Sequence, residues 1–418
     1  MYKSARRAAA AMLWCMTASL ASAQTGTTPF AARLDQARTT LQVDESGLHG
    51  PGAAVIAAAV EQARYVLLGE DHLSREIPKF TVGMCRIMAP GGLQALAVET
   101  GPEAAVVVNS NLRRPDRATR IAAFAQKYPD AMAFLNGRDE SDMASECARL
   151  AGPSFEIWGL DQEFFGSAGY LLEQMLASHP GASARAAIER LVALDCSMSA
   201  AAVASGSPGD LFIYKVTDQQ IAEAGGQIAR DGGERSIALF ATLVETRSIF
   251  LGQNTDGFAS NGQRARLMKR QLVGHLTGGP SPSRVLFKFG DVHMAKGINS
   301  LGQRDLGNFA AERAEGDGAS SVHIAVYGAK GVHALYGGVG RQVRHEPFVL
   351  TDDADYAWLK DALASPSGDK QGWVLIDLRA LRTKPARDMP APWRKAAQQY
   401  DLLAIAPDLT PSSLLGAK

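Results

Sequence analysis

Four short apolar runs, each ending in an acid or a histidine, constrain this chain more than any other feature. Tyr65-Val66-Leu67-Leu68 leads into Gly69-Glu70-Asp71-His72, and Ala95-Leu96-Ala97-Val98 leads into Glu99-Thr100. Phe155-Glu156-Ile157-Trp158-Gly159-Leu160 leads into Asp161-Gln162, and Arg284 to Phe289 leads into Gly290-Asp291-Val292-His293. The runs are largely continuous rather than alternating, which predicts strands buried on both faces, as in a parallel sheet. The amphipathic stretch Glu76 to Met88, stopped by Pro90-Gly91-Gly92, separates the first two and completes a strand–helix–strand unit. Val322 to Tyr327 and Trp373 to Leu378 predict two further strands.

The fold class that follows is α/β: a mainly parallel central sheet flanked by helices, with a helical insertion. The insertion spans about 165–280, where Tyr170–Ala177, Ala184–Leu194, Ser236–Phe250 and Gly262–Leu276 carry helical patterning; it is too long for a simple crossover. The expected organisation is a signal peptide over 1–23, and a linker with helices (Ala31–Leu41, Ala53–Gln62) over 24–60. An α/β catalytic-like domain follows over 61–345, then a C-terminal extension over 346–418 packed on the same domain.

The N-terminus reads as an export signal. Lys3, Arg6 and Arg7 precede the short apolar run Ala8–Leu20, and Ala21-Ser22-Ala23 offers a small-residue cleavage site before Gln24. The run is too short to span a bilayer, so no stable membrane insertion is expected and the mature chain is placed in the periplasm or outside the cell. The full chain balances 43 basic against 43 acidic side chains, and losing 1–23 leaves a small acidic excess. That is no footprint for a nucleic acid or an anionic membrane. A small-molecule substrate or ligand is the expected partner.

Cys85, Cys147 and Cys196 remain beyond the signal. Cys85 sits with Val82 and Ile87 in an apolar helical pattern and reads as a small buried hydrophobe. In an oxidising compartment this leaves Cys147–Cys196 as the expected bridge.

The candidate chemistry lies at the strand ends. In an open, mainly parallel sheet, sites form outside the carboxyl ends of the strands, so residues far apart in sequence can share one crevice. Glu70 and His72 are two apart, as are Asp291 and His293, and residues i and i+2 of an extended chain project to the same side. Each pair can aim a carboxylate and an imidazole together, the carboxylate fixing the tautomer and raising basicity. A lone acid after a strand also suits the N-cap of the next helix, an alternative that fits Asp161. His323 reads as a structural residue within a strand; His275, His333 and His345 read as ordinary polar residues. No G-x-S-x-G elbow, H-E-x-x-H or phosphate-binding loop is present.

These strand ends resemble the superfamily that includes erythromycin esterases, ChaN-like haem-uptake proteins and Tiki-like metalloproteases. The likeness to the esterase branch covers roughly 65–330. It rests on Gly69-Glu70-Asp71-His72, the strand ending at Glu99, Trp158-Gly159-Leu160-Asp161-Gln162, and an Arg-x-x-x-Met helix at Arg264 and Met268. Asp291-Val292-His293 stands in place of an Asn-x-His segment, with Lys296 and Leu306-Gly307 after it. Two departures stand out: one residue, not two, separates Glu70 from His72, and Gly290 stands where the esterases carry a histidine.

The resemblance implies hydrolysis of an ester or amide. His72 is the expected general base, oriented by Glu70 and Glu99, with Asp161 in the same crevice. His293, held by Asp291, is expected to be the second acid/base or to stabilise the developing oxyanion, where Arg264 supplies positive charge. With no serine nucleophile motif, direct attack by water is the simpler route, and no cofactor is needed. The Tiki-like branch implies a divalent metal instead, with His72, His293, Glu70 and Glu99 as ligands. The ChaN-like branch implies a haem- or ligand-binding protein without catalysis. Protein recovered from outside the cytoplasm is expected to begin at Gln24, which N-terminal sequencing checks; a full-length cytosolic product would refute export.

Overall fold

The computed structural model describes residues 29–278, 283–364, 372–383 and 388–418. The expected signal segment 1–23 lies outside the described residues. Eleven strands are present among them: β1 (Arg38–Asp44), β2 (Gly47–His49), β3 (Ala63–Glu70), β4 (Leu93–Val98), β5 (Glu156–Gly159), β6 (Arg284–Gly290), β7 (Ser320–Gly328), β8 (Lys330–Leu335), β9 (Arg344–Val349), β10 (Trp373–Asp377) and β11 (Leu402–Ala406). Nine of them form one sheet in the order β2-β1-β10-β11-β7-β3-β6-β4-β5, while β8 and β9 form a separate hairpin. From β11 to β5 every neighbouring pair is parallel; β10, β1 and β2 extend the β11 edge with antiparallel pairings. The α/β class and the mainly parallel sheet are therefore as the apolar runs require.

β3 shows why those runs are continuous. Val66 and Leu68 pack on one face against Phe80 and Met84 of helix Glu76–Met88. Tyr65 and Leu67 pack on the other face with Phe287, Met268 and Leu306. With helices over both faces, neither set can be polar, and each buried aliphatic side chain contributes roughly 1.5–3 kcal/mol. The segment between β5 and β6 forms helices Ala168–Ala177, Ala182–Ser205, Asp218–Asp231, Gly233–Gly252 and Gly257–Gly278, with shorter turns between them. It encloses a core of its own around Leu171, Ile188, Leu191, Leu239 and Leu243. No helix among the described residues is long and apolar enough to cross a membrane.

Two local expectations, a helix boundary and a disulfide, need correction, and the expected packing of the C-terminal extension takes a definite form. The helix expected over Ala31–Leu41 ends at Ala37, and Arg38 with the β-branched Thr39 and Thr40 begins strand β1, which lies between β2 and β10. The extension beyond 345 adds β10 and β11 to the same sheet, and β11 (Leu-Leu-Ala-Ile-Ala) is buried along its whole length. The disulfide joins Cys85 to Cys147, not Cys147 to Cys196. Helix Glu76–Met88 lies along helix Arg138–Ala151 and brings the two Cα atoms to 5.4 Å, whereas Cys196 is exposed on the insertion. Cys85 is buried as expected, but its partner is the facing helix. Alkylation and intact mass are expected to find one accessible thiol, at Cys196. Reduction is expected to cost roughly 2–5 kcal/mol, read by denaturant unfolding; two reactive thiols in the oxidised protein would refute the pairing.

Candidate active site

The register of the parallel ladder brings the strand ends together. Glu70 lies beside Gly290, and Val98 lies between Lys288 and Gly159, so the residues just past each strand share one edge of the sheet. The ladder continues past β5: Leu160 donates to the Val98 carbonyl and Asp161 to the Thr100 carbonyl. Arg264 and Met268, one turn apart on helix Gly257–Gly278, divide the work of that helix. Met268 is buried in the sheet core, while Arg264 reaches the strand ends.

Glu99 is the centre, with only 6% of its surface exposed. Its Oε1 accepts from Arg264 Nη2 at 2.6 Å and lies 3.5 Å from His293 Nε2. Its Oε2 accepts from the Gly290 N–H at 2.7 Å and faces His72 Nε2 at 3.2 Å. Burial disfavours its charge, but His293, His72 and Arg264 outweigh burial and hold it well below the usual carboxylate range. Arg264 also grips both oxygens of Asp161. Asp161 is thus a guanidinium partner rather than the cap of a following helix.

His72 is pinned on both nitrogens. Nδ1 meets Glu70 Oε1 at 2.9 Å, Nε2 faces Glu99, and the ring stacks on Phe134 with centroids 3.8 Å apart. Burial opposes protonation, yet Glu99 and Glu70 push its pKa up to about 10, so it is an imidazolium at neutral pH. About a quarter of the side chain is open to solvent, whereas His293 is almost fully buried.

The pairing expected between Asp291 and His293 does not occur. Residues Asp291–Met294 form a single helical turn instead of continuing the strand. Side chains two apart in such a turn point in different directions, so the reasoning for an extended chain fails here. His293 Nδ1 meets Asp305 Oδ2 at 2.8 Å. Asp305, which also accepts from the Leu306 N–H and from Asn299, begins helix Leu306–Gly316. Asp291 turns away and accepts from Tyr327 Oη at 2.6 Å.

Five contributors were not singled out from sequence. Asp305 carried no motif. Lys288 donates to Glu70 and Glu140 from inside the sheet, and a lysine within the apolar run Val285–Phe289 was the available sign of it. Glu140 lies on an ordinary amphipathic helix; burial, offset in part by Lys288, pushes its pKa to about 7. Phe134 adopts φ 59°, a left-handed value that is strained for a side chain of this size. His333, taken as an ordinary polar residue, meets Asp71 at 2.8 Å and stacks on Phe348. His323 is structural as expected: it is buried, with Nδ1 against the Met294 carbonyl at 2.7 Å.

The glycine at 290 has a steric cause. A Cβ there would lie 3.1 Å from His72 Nε2 and 3.3 Å from Glu99 Oε2, while the backbone N–H serves Glu99. Any side chain at 290, including the histidine of the esterase pattern, would crowd the contact between Glu99 and His72. Gly69 plays the matching part on β3, since its Cβ would lie 2.7 Å from the Asp291 Cα.

The arrangement also bears on a metal. Both oxygens of Glu99 and both nitrogens of His72 already face protein partners, and Lys288 and His72 share Glu70 Oε1, which leaves only Oε2 without a hydrogen-bond partner. The void enclosed by Glu70, His72, Glu99, Glu140 and Lys288 is about 10 Å³, roughly the space of one water. No group of three or more His, Cys, Asp or Glu among the described residues is disposed to hold a metal ion. As placed, this donor set does not fit a divalent ion.

Comparison with solved structures places this architecture. A mutant of the erythromycin esterase EreC in its open conformation superposes with a TM-score of 0.62 over 90% of this chain and 98% of that one, at 15% identity. The fold is erythromycin-esterase-like. A succinoglycan biosynthesis protein shares it with a TM-score of 0.58 at 14% identity, over 94% of this chain and 99% of that one. A protein from Bacillus cereus shares it with a TM-score of 0.50 at 11% identity, over 92% and 98%. No protein-family profile and no curated protein matches the sequence. Within this fold, Lys288 is the buried cation on which Glu70 and Glu140 depend. Lys288→Met is expected to destabilise the protein by about 3–5 kcal/mol, because it leaves carboxylates without their counter-charge. Urea unfolding checks this; an unchanged midpoint would show that the carboxylates are relieved another way.

Proposed function

We propose that this protein is an exported hydrolase of an ester or amide bond that uses strand-end imidazoles and carboxylates. The observation that carries this reading is a single buried carboxylate, Glu99, shared by two imidazoles from separate strand ends, each with a second carboxylate of its own. The esterase-like fold supports it. The Cys85–Cys147 bridge supports an oxidising compartment.

The roles follow from protonation and exposure. Water adds to the substrate carbonyl carbon, and one water proton passes to Nε2 of the neutral form of His293, whose Nδ1 is held by Asp305; the cationic form so produced is the one that Glu99 stabilises. His72, charged at neutral pH and the more open of the two, faces the substrate. Its positive charge stabilises the developing oxyanion, and its proton goes to the leaving oxygen or nitrogen as the carbon–heteroatom bond breaks. Proton return from His293 restores His72. The base assigned to His72 on sequence thus moves to His293, because a group with pKa about 10 is already protonated near neutrality. Arg264 positions Glu99 and Asp161 and does not meet the substrate.

The pH dependence separates the two assignments. An imidazolium that acts as acid is active below its pKa, so the rate is expected to fall as pH rises through about 10. A base at His72 would make the rate rise over the same interval. On a panel of p-nitrophenyl esters and anilides, His72→Gln and His293→Gln are each expected to lower kcat/KM by roughly 10²–10⁴-fold. Asp305→Asn is expected to lower it less. A double His72→Gln/His293→Gln variant that keeps the wild-type rate would refute the hydrolase site.

A further inference from the structure

We infer that a second cleft, on the other side of the Asp291–Met294 turn, binds a ligand carrying an organic ammonium group. The cleft encloses about 860 Å³, within the usual span of small-molecule sites. Asp291, Tyr327, Tyr356, Trp358 and Tyr400 line it; Glu70, His72, Glu99, Arg264 and His293 do not. It is therefore separate from the proposed hydrolytic centre, and its occupation does not depend on that centre being active.

Asp291 is the unusual element. Most carboxylates at the strand ends have basic partners: Lys288 for Glu70, Arg264 for Glu99 and Asp161, and His293 for Asp305. Glu163 has none, but it is fully buried against the Glu103 N–H, whereas Asp291 opens onto the cleft. Asp291 has only neutral donors among the described residues. Tyr327 Oη donates to its Oδ2 at 2.6 Å, Tyr356 Oη lies 3.5 Å from the same oxygen, and Tyr400 Oη donates to its backbone carbonyl at 2.7 Å. Phenol hydroxyls orient a carboxylate without neutralising it. At the rim, exposed Asp355 and Lys395 carry opposite charges, so the uncompensated charge of the cleft lies with Asp291.

Three tyrosines whose hydroxyls meet Asp291, with Trp358 in the same cleft, select among cations. A small, strongly hydrated ion gains little from ring faces. An alkylated ammonium sheds its water more easily and gains from each favourable ring contact, besides its attraction to the carboxylate. The ligand class is thus an alkylammonium or quaternary ammonium compound whose uncharged part lies along the apolar wall of the same cleft.

The test uses the full chain and choline as probe, with dimethylbutanol, its uncharged carbon isostere, as control. Calorimetry is expected to show saturable choline binding, and binding of the isostere weaker by about tenfold or more, equivalent to roughly 1.4 kcal/mol. Asp291→Asn and Trp358→Leu are each expected to weaken choline binding, while His72→Gln leaves it unchanged. If Asp291→Asn fails to fold, the charge preference of the wild type and the Trp358→Leu variant decide. No saturable choline binding, equal binding of the isostere, or loss of binding in His72→Gln would each overturn the inference. An inactive protein that still binds choline would sink the hydrolase reading alone.

Discussion

Glu99 is the group on which the arrangement of the strand ends depends. A carboxylate with 6% exposure must be neutralised or surrounded by donors, and this one faces two imidazoles, a guanidinium and a backbone N–H. The four donors come from three stretches: His72 after β3, Arg264 from the insertion, and Gly290 and His293 at and beyond the end of β6. The charge on Glu99 therefore ties the helical insertion to the central sheet. Such networks add little net stability compared with apolar packing of equal volume, because desolvation offsets most of the attraction. Their effect is on geometry: breaking one contact leaves a buried charge, so alternative arrangements of the strand ends are disfavoured.

Close backbone approach is the second constraint. The first turn after β6 runs directly over β3, and only a glycine at 69 leaves room for it. Gly290 leaves room for His72 and Glu99 to meet. The departure from the esterase pattern at Gly290 is thus coupled to the position of His72, one residue nearer to its glutamate than in that pattern. Phe134, in a left-handed conformation, closes over the His72 ring from a different loop. Strain at a ring that touches the proposed acid suits a surface held in place for function, and it is supported by the buried residues on either side, Ala133 and Leu135.

What was legible in the sequence was what a single strand or helix determines. Continuous apolar runs reported β3, β4, β5, β6, β7 and β10 because burial on both faces leaves no polar position to blur the pattern. The meeting of Glu70, His72, Glu99, Asp161 and His293 followed from strand ends sharing one edge, while Arg264, on a helix, was singled out only by the resemblance to the esterases. What was not legible depends on packing between distant segments. Cys85 and Cys147 face each other only because two helices lie side by side. Asp305 reaches His293 across a loop, and Glu140 reaches Lys288 from a helix whose pattern is ordinary. β11 is short, and its five residues fit a buried helix turn as well as a strand until its neighbours β7 and β10 are in place.

The contrast between the two acid-x-His pairs shows how little separates a correct reading from a wrong one. Glu70 ends β3 and His72 lies just beyond it, outside any helix, and the two side chains bond to each other. Asp291 and His293 have the same spacing, but the chain turns helical at residue 291, and the two side chains part. One then meets Asp305 beside Glu99, and the other meets three tyrosines across the turn. A single change of backbone conformation, made where β6 ends against Gly69, divides what looks like one site into two. It leaves an imidazole with a carboxylate partner on one side and a carboxylate without a basic partner on the other.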